Sequence, residues 1–267
     1  TQATRRRILD LIATQLQTLG FRRMAAKSLK PKHIEALVAH WRDEGISTGT
    51  VKNRLSALRW WAKKINKPNV VARDNSIYGI GQRTYVARDS KAQVLDQAKL
   101  DLISDKYVQL SIRLQAAFGL RREESIKFCP RYAIQDDHIR LKPSWTKGGR
   151  ARSVPITSDE QRALLQEVAT FAKGGSLIPA NLRYVEQLHR YERQLRNAGL
   201  HKLHGLRHAY AQRRYEALTG WKAPAAGGPA SKSLAIDQRA LDKGARETIS
   251  QELGHSREQI SAVYLGR

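Results

Sequence analysis

The chain has 267 residues, 41% of them hydrophobic, and 48 Lys and Arg against 24 Asp and Glu, for a formal charge of +24. Its single cysteine, Cys129, excludes an intrachain disulfide framework and a cysteine-rich zinc site. No apolar run reaches the roughly 20 residues that span a bilayer, and the N-terminus has no signal-peptide pattern. We therefore expect a soluble, cytoplasmic protein with a polyanionic partner.

Both halves of the chain carry the positive charge. Residues 1–90 hold 18 basic and 6 acidic side chains, and residues 91–267 hold 30 and 18. Neither half is therefore only a charged tail. The charge by itself fits an architectural or ribosomal-type protein as well as an enzyme.

The first part of the chain is predicted to be a small all-α module. Helical spacing of apolar residues, a proline at a first helical position and a serine cap predict helices over residues 3–20, 31–45 and 48–65. The periodicity disappears after Pro68, where glycines and charges accumulate. We place a domain over residues 1–75 and a linker over residues 76–92.

The rest of the chain, residues 93–267, is predicted to combine helices with a strand-rich stretch. Alternating apolar residues predict strands between about Tyr132 and Ile156. Helical patterns predict helices over residues 97–106, 107–118, 158–172, 181–198 and 204–218. The Pro- and Gly-rich segment 219–233 is predicted to be a flexible loop, with helical character returning near Leu234.

Two arginines are candidates for binding phosphate, because a guanidinium stays protonated and can hold two oxygens at once. Arg121 is expected to open a helix, where backbone N–H groups also favour an anion, and Glu124 lies one turn later. A surface salt bridge explains that pair equally well. His204 and Arg207 share one face of a helix start, although a capping histidine beside a solvated arginine would have the same spacing.

Two further side chains could take part in phosphate chemistry. Tyr264 follows His255 by nine positions. A phenol, with an ordinary pKa near 10, attacks phosphorus only where cations or a base favour the phenolate. Lys147 lies at an expected hairpin turn and could protonate a leaving hydroxyl. A tyrosine covering a core and a mobile cationic loop are the structural alternatives.

The order of these groups resembles that of the tyrosine recombinases, or phage-type integrases. The matching segments are Gly119-Leu120-Arg121-x-x-Glu124, Lys147 with Val154-Pro155, His204-x-Leu206-Arg207-His208, and Leu253-Gly254-His255-Ser256 with Tyr264. The resemblance extends to the third predicted helix, which looks like the one that core-binding domains present to DNA. It implies DNA contacts from Thr50, Lys52, Asn53, Arg54 and Arg59.

The resemblance implies a mainly α fold with a small β-sheet. An α-helical, SAM-like core-binding domain would precede an α+β catalytic domain with an insertion at about residues 219–240. Tyr264 would attack a DNA phosphate to give a 3′-phosphotyrosyl link, which a partner strand then resolves through a four-way junction. The cleavage residues implied are Arg121, Lys147, His204, Arg207, His255 and Tyr264, with Glu124 fixing Arg121.

The resemblance also implies the partners of the reaction. Four active sites would assemble as a homotetramer on two double-stranded DNA sites, with accessory DNA-bending proteins as further partners, in the cytoplasm of a bacterium and associated with its nucleoid. Neither a cofactor nor a metal is implied, because the ester conserves the bond energy and the arginines neutralise the phosphate.

The sequence departs from the family pattern at two places. Arg207 and His255 are 48 positions apart, and segment 219–233 accounts for much of this unusual length. Three residues follow Tyr264, whereas many relatives continue into a tail that docks on a neighbouring subunit. Because the sequence begins Thr1-Gln2, we expect a trimmed or processed product.

Other functions with related chemistry or fold stay open at this point. A type IB topoisomerase uses the same cleavage residues, and a DNA-binding architectural or regulatory protein could have the same fold without a reaction. The retention of all six candidate residues argues against the second. A metal-dependent transposase would need a carboxylate cluster, but Asp136-Asp137 is predicted to lie in a hairpin turn and no third carboxylate stands out.

Overall fold

The computed structural model describes residues 2–83, Val86, and residues 89–255 and 258–267. The chain divides into two compact units, Thr1–Thr84 and Tyr85–Arg267. The predicted linker, residues 76–92, includes four residues outside the described ranges. Among the described residues the structure is mainly helical with one two-stranded sheet, which confirms the predicted fold class.

The first unit is built on three helices close to their predicted bounds: α1 (Gln2–Thr18), α2 (Pro31–Asp43) and α3 (Thr48–Lys64). Their apolar faces meet around Trp41, which is fully buried and donates its indole N–H to Gln15 Oε1 at 2.9 Å. Ser47 caps α3 by accepting from the backbone N–H of Thr50, as its residue type predicts.

Two arginines hold the segment after α3 on the first unit, and the first of them, Arg42, donates from Nη2 to the carbonyl of Tyr78 at 2.7 Å. Arg59 donates from Nε to the carbonyl of Ala72 at 2.8 Å and from Nη2 to Asn75 Oδ1 at 2.6 Å. The segment also forms two short 3-10 turns, Pro68–Val70 and Ser76–Tyr78. It is therefore more structured than the extended connection predicted from its glycines and charges.

Among its described residues, the second unit contains nine α-helices and both strands of the sheet. In chain order they are α4 (Gln97–Asp101), α5 (Lys106–Phe118), α6 (Arg122–Ile126), α7 (Pro130–Ala133), β1 (His138–Leu141), β2 (Arg152–Pro155), α8 (Asp159–Ala172), α9 (Tyr184–Asn197), α10 (His204–Thr219), α11 (Ile236–Glu252) and α12 (Ala262–Leu265). The main core lies around α5 and α10, with Phe118 and Tyr215 among its fully buried side chains.

Two predicted elements are shorter in the structure. The helix predicted over 97–106 ends at Asp101, because Asp105 starts α5 by accepting a hydrogen bond from the backbone N–H of Val108. The strand-rich stretch consists of two antiparallel four-residue strands, paired from His138 with Pro155 to Leu141 with Arg152. Pro130, before β1, and Pro143, after it, start helical turns instead of strands.

Segment 219–235 differs from the expected flexible loop. It contains two 3-10 turns, Pro224–Ala226 and Ser231–Ser233, and its Ala223 and Leu234 side chains are buried. Trp221 ties its start to α10 by donating its indole N–H to the Tyr215 hydroxyl at 3.2 Å. Small apolar residues therefore pack this Pro- and Gly-rich segment against the second unit.

Candidate active site

Arg121 and Glu124 occupy a tight junction between α5 and α6. Gly119 ends α5 in the left-handed region at φ 59°, and a Cβ there would lie 2.6 Å from the Tyr210 ring. Arg121 then caps α6 instead of opening it, with its backbone N–H donating to Glu124 Oε2 at 2.6 Å. Its guanidinium also donates to Glu124 Oε1 at 2.9 Å, which fixes the side chain.

Glu124 is fully buried and holds a second arginine that the sequence analysis did not select, Arg152. Both terminal nitrogens of Arg152 donate to the two carboxylate oxygens at 2.7 Å, and its Nε donates to the carbonyl of Glu252 at 2.8 Å. One carboxylate thus joins β2, α6 and the end of α11. Gly254, at φ 67°, fits against this arginine, since a Cβ there would lie 2.9 Å from Arg152 Cδ.

The ionisation of Glu124 reflects these contacts. Burial by itself would raise the pKa of the carboxyl group, but the hydrogen bond and charge of Arg152, with help from Arg207 and the Arg121 N–H, lower it to about 2. Glu124 is therefore ionised at neutral pH. The guanidinium groups of Arg121, Arg152 and Arg207 therefore lie around one carboxylate, that of Glu124.

Arg207 lies at the centre of the site and is almost completely buried. It donates to the carbonyl oxygens of Gly119 and Leu253, and its Nε lies 3.4 Å from the Tyr264 hydroxyl. Arg121 also donates to the Leu253 carbonyl, at 3.3 Å. Burial lowers the pKa of Arg207 to about 10, so its guanidinium is protonated at neutral pH.

Three imidazole rings surround the buried ring of Tyr264. Their centroids lie 4.6 Å away for His208, 5.7 Å for His255 and 6.0 Å for His204. Burial, with a smaller contribution from neighbouring positive charges, lowers the pKa of all three, to about 4 for His208 and His255. At neutral pH these rings are uncharged donors and acceptors beside a cationic cluster.

The structure brings five of the six predicted cleavage residues together and leaves one outside. Arg121, Arg207, His204, His255 and Tyr264 form a continuous cluster. Lys147 is exposed in the loop between β1 and β2, and its side chain forms no hydrogen bond or ion pair with the described residues. Thr146 closes that turn by donating its hydroxyl to the carbonyl of Arg150 at 2.6 Å.

The residues predicted to contact DNA lie along α3 with different surroundings. Thr50 and Asn53 are exposed, and Lys52 is partly exposed. Arg54 lies over the Trp41 ring at 5.2 Å, and Arg59 is engaged with Ala72 and Asn75 as described above. Two of the five, Thr50 and Asn53, are therefore exposed, and the other three are partly exposed.

Sequence reasoning missed Arg152 and His208 as members of the site. The strand alternation contained a signal for Arg152, since it shares the inward face of β2 with Val154, and a buried arginine requires a charged partner. His208 follows Arg207 directly and was quoted only as part of a motif. Its closeness to Tyr264 depends on how α12 packs, which the sequence does not reveal.

Among the residues that the structure describes, no three His, Cys, Asp or Glu side chains are grouped so that they could hold a metal ion. Ser256, the last residue of the quoted Leu-Gly-His-Ser motif, lies outside those residues. None of the described helices is both long and apolar enough to cross a membrane.

Three solved structures of similar fold are complexes with DNA. A lambda integrase dimer bound to a COC′ core site is 16% identical, with a TM-score of 0.58 over 99% of this chain and 71% of that one. A lambda integrase tetramer bound to a Holliday junction is 15% identical, with a TM-score of 0.57 over 99% and 72%. XerH site-specific recombinase, bound to a palindromic difH substrate, is 19% identical, with a TM-score of 0.55 over 95% and 72%.

Two family models match the sequence of this chain. No curated protein matches the chain. The model of the phage integrase N-terminal region matches residues 1–70, and the integrase model matches residues 81–213. The two matches agree with the order of the motifs and with the fold, and the chain belongs to the tyrosine recombinase, or phage-type integrase, family.

Proposed function

We propose that this chain is a site-specific DNA recombinase of a mobile element that cleaves and rejoins DNA through Tyr264. The observation that carries the proposal is the position of the Tyr264 hydroxyl, 3.4 Å from Nε of the buried Arg207. A phenol at the edge of a cluster of fixed cations is placed to attack an anionic phosphate.

The first step exchanges one ester bond for another. The Tyr264 oxygen forms a bond to phosphorus, the bond from phosphorus to the 5′-oxygen breaks, and the product is a 3′-phosphotyrosyl link. Arg121 and Arg207 neutralise the charge that grows on the non-bridging oxygens. Because both already donate to the Leu253 carbonyl, their guanidinium groups are oriented before DNA arrives.

The imidazoles and the lysine supply hydrogen bonds and protons. His204 and His255 are neutral at neutral pH, so either ring can donate to a phosphate oxygen or accept from the phenol. We assign the protonation of the leaving 5′-oxygen to Lys147, whose exposed position leaves the ammonium accessible to bound DNA. The free 5′-hydroxyl then attacks phosphorus of the phosphotyrosyl link on the partner strand, the bond from phosphorus to the tyrosine oxygen breaks, and the proton of the hydroxyl passes to the phenol that leaves there.

The proposal also includes a tetrameric assembly and the surfaces that contact DNA. Strand exchange requires four nucleophiles, and the fold resembles that of a lambda integrase tetramer bound to a Holliday junction. We propose that the first unit is the core-binding domain, with Thr50, Lys52 and Asn53 facing DNA, and that the second unit is catalytic. Arg59 would instead fix the segment around Ala72.

A suicide DNA substrate tests the chemistry. A nicked site loses its 5′-hydroxyl fragment after cleavage, so the covalent protein–DNA adduct accumulates and can be counted on a denaturing gel. We expect the adduct from the unaltered protein and none from Tyr264→Phe. Tyr107→Phe, which alters a partly buried tyrosine packed on Phe171 instead, is the matched control.

Three results would contradict the proposal. An undiminished adduct from Tyr264→Phe would show that another residue is the nucleophile. DNA binding without an adduct from the unaltered protein would favour the architectural alternative, and relaxation of supercoiled DNA without strand exchange would favour a topoisomerase.

A further inference from the structure

A buried arginine on α11 has no part in the chemistry described above. Arg246 is 4% exposed and pairs with Asp242, one turn earlier on the same helix and 6% exposed. Its Nε lies 2.7 Å from Asp242 Oδ1. A buried ion pair on one helix contributes little stability by itself, because both charges lose their hydration. The contacts of the other two guanidinium nitrogens, Nη1 and Nη2, therefore indicate which parts of the chain the pair holds together.

Those nitrogens reach two other parts of the second unit. Nη1 donates to the carbonyl of Gly266 at 2.9 Å, two residues after Tyr264, and Nη2 donates to Ser231 Oγ at 3.1 Å. One guanidinium thus connects α11, segment 219–235 and the end of α12.

The helix that carries Tyr264 depends on such contacts. α12 has four residues, far fewer than the dozen or so that an independent helix needs in water. Its backbone is held at two carbonyls, since Gln212 Nε2 donates to the carbonyl of Tyr264 at 3.0 Å and Arg246 holds that of Gly266. These tethers fix the backbone of α12, while the imidazole rings and Arg207 contact the phenol itself.

Segment 219–235 completes the enclosure around Arg246. Its turn Pro224–Ala226 packs against α12, and its Ser231 accepts from the arginine. At the other side Trp221 donates to the Tyr215 hydroxyl, which donates to Asp242 Oδ1 at 2.5 Å. The segment that lengthens the distance between Arg207 and His255 therefore covers the ion pair and keeps water from it.

We propose that Arg246 is a positioning residue for Tyr264. Arg246 holds the end of α12 through the Gly266 carbonyl, and segment 219–235 covers that contact. The inference rests on the proposed function of Tyr264 as nucleophile. The planar fork of arginine is needed, because three acceptors lie around it in different directions and a lysine ammonium at Asp242 would not reach all of them.

The test compares three variants by single-turnover cleavage of the suicide substrate. Arg246→Lys keeps a charge beside Asp242, and Arg246→Gln removes it. Arg239→Gln is the matched control, since Arg239 lies on the same helix and donates to the carbonyls of Leu234 and Lys232 in the same segment, and no described contact joins its side chain to α12. Thermal unfolding and DNA affinity are measured for each.

We expect Arg246→Lys to fold and to bind DNA as the unaltered protein does, but to cleave about tenfold more slowly or worse, since a displaced nucleophile loses rate steeply. Amide hydrogen exchange over residues 262–266 should become faster in both Arg246 variants and stay unchanged over 204–219. Arg239→Gln should show neither effect. Should Arg246→Gln fail to fold, the lysine variant carries the comparison.

Several outcomes would overturn the inference. These are a cleavage rate for Arg246→Lys within twofold of the unaltered protein, an equal loss in Arg239→Gln, or unchanged exchange over 262–266. If the unaltered protein formed no adduct at Tyr264, the proposed function would fail by itself. The exchange measurement would still decide whether Arg246 holds α12.

Discussion

Replacing Glu124 with glutamine tests the electrostatic arrangement of the site, since glutamine keeps the shape of the side chain and removes its charge. The carboxylate is fully buried between Arg121 and Arg152. The variant leaves two guanidinium groups without their shared anion. Truncating one partner of a buried ion pair is strongly destabilising, because the other charge stays desolvated.

The pKa gives the size and the pH dependence of the effect. A pKa lowered from 4.5 to about 2 corresponds to about 3 kcal/mol of stabilisation of the folded protein at neutral pH. Because the pKa is lower in the folded than in the unfolded chain, this stabilisation is complete above the unfolded value. It is lost as the pH falls from about 4.5 toward 2.

Urea unfolding at neutral pH and at about pH 3 measures both consequences. We expect Glu124→Gln to lower the free energy of unfolding by about 3 kcal/mol at neutral pH, and by clearly less in acid. Glu167→Gln is the matched control: Glu167 also pairs with two cations, Lys106 and Arg113, but is 35% exposed. It should cost less than about 1 kcal/mol.

The reasoning is refuted if Glu124→Gln costs no more than Glu167→Gln at neutral pH. A cost that is the same at both pH values would also refute it, because the effect would then come from packing and not from the charge.

Two further predictions concern the arginine and histidine side chains of the site. Arg121→Ala should reduce cleavage of the suicide substrate by about 100-fold or more. DNA affinity should stay within a few-fold of the unaltered protein's, because binding is spread over many phosphate contacts. Parallel losses of binding and cleavage would contradict a role in the reaction. In an NMR titration of the free protein, the His208 and His255 rings should stay neutral down to about pH 5, because burial and nearby cations lower their pKa to about 4. A titration midpoint near pH 6.5 for either ring would show that it is not buried as described.

The long helices could be predicted from the sequence because their apolar residues repeat along one face. α1, α3, α8 and α10 lie within a few residues of the predicted bounds. The start of α6 is expected at Arg121, but the four-residue α7 could not be predicted, since so short a helix is fixed by its proline and by tertiary contacts and not by periodicity.

The members of the site that carry recognisable chemistry could also be chosen from the sequence. Arg152 could not, because its partners Glu124 and Glu252 lie 28 and 100 positions away and meet only when the hairpin, α6 and α11 pack together. For the same reason segment 219–235 looks like a loop in the sequence. Its order comes from two contacts, one between Trp221 and Tyr215 of α10 and one between Ser231 and Arg246 of α11.

The single carbonyl of Leu253, shared by Arg121 and Arg207, has a consequence for engineering. It is a weak, neutral substitute for an anion, so the three guanidinium groups of the site repel one another with one carboxylate between them. The free protein therefore carries unfavourable energy that a phosphate would relieve. Substitutions selected for a higher melting temperature should accumulate at Arg207, whose charged form burial disfavours, and not at Arg121 or Arg152, which pair with the buried Glu124. If Arg207 acts in cleavage as proposed, a screen that scores only thermal stability will select against DNA cleavage.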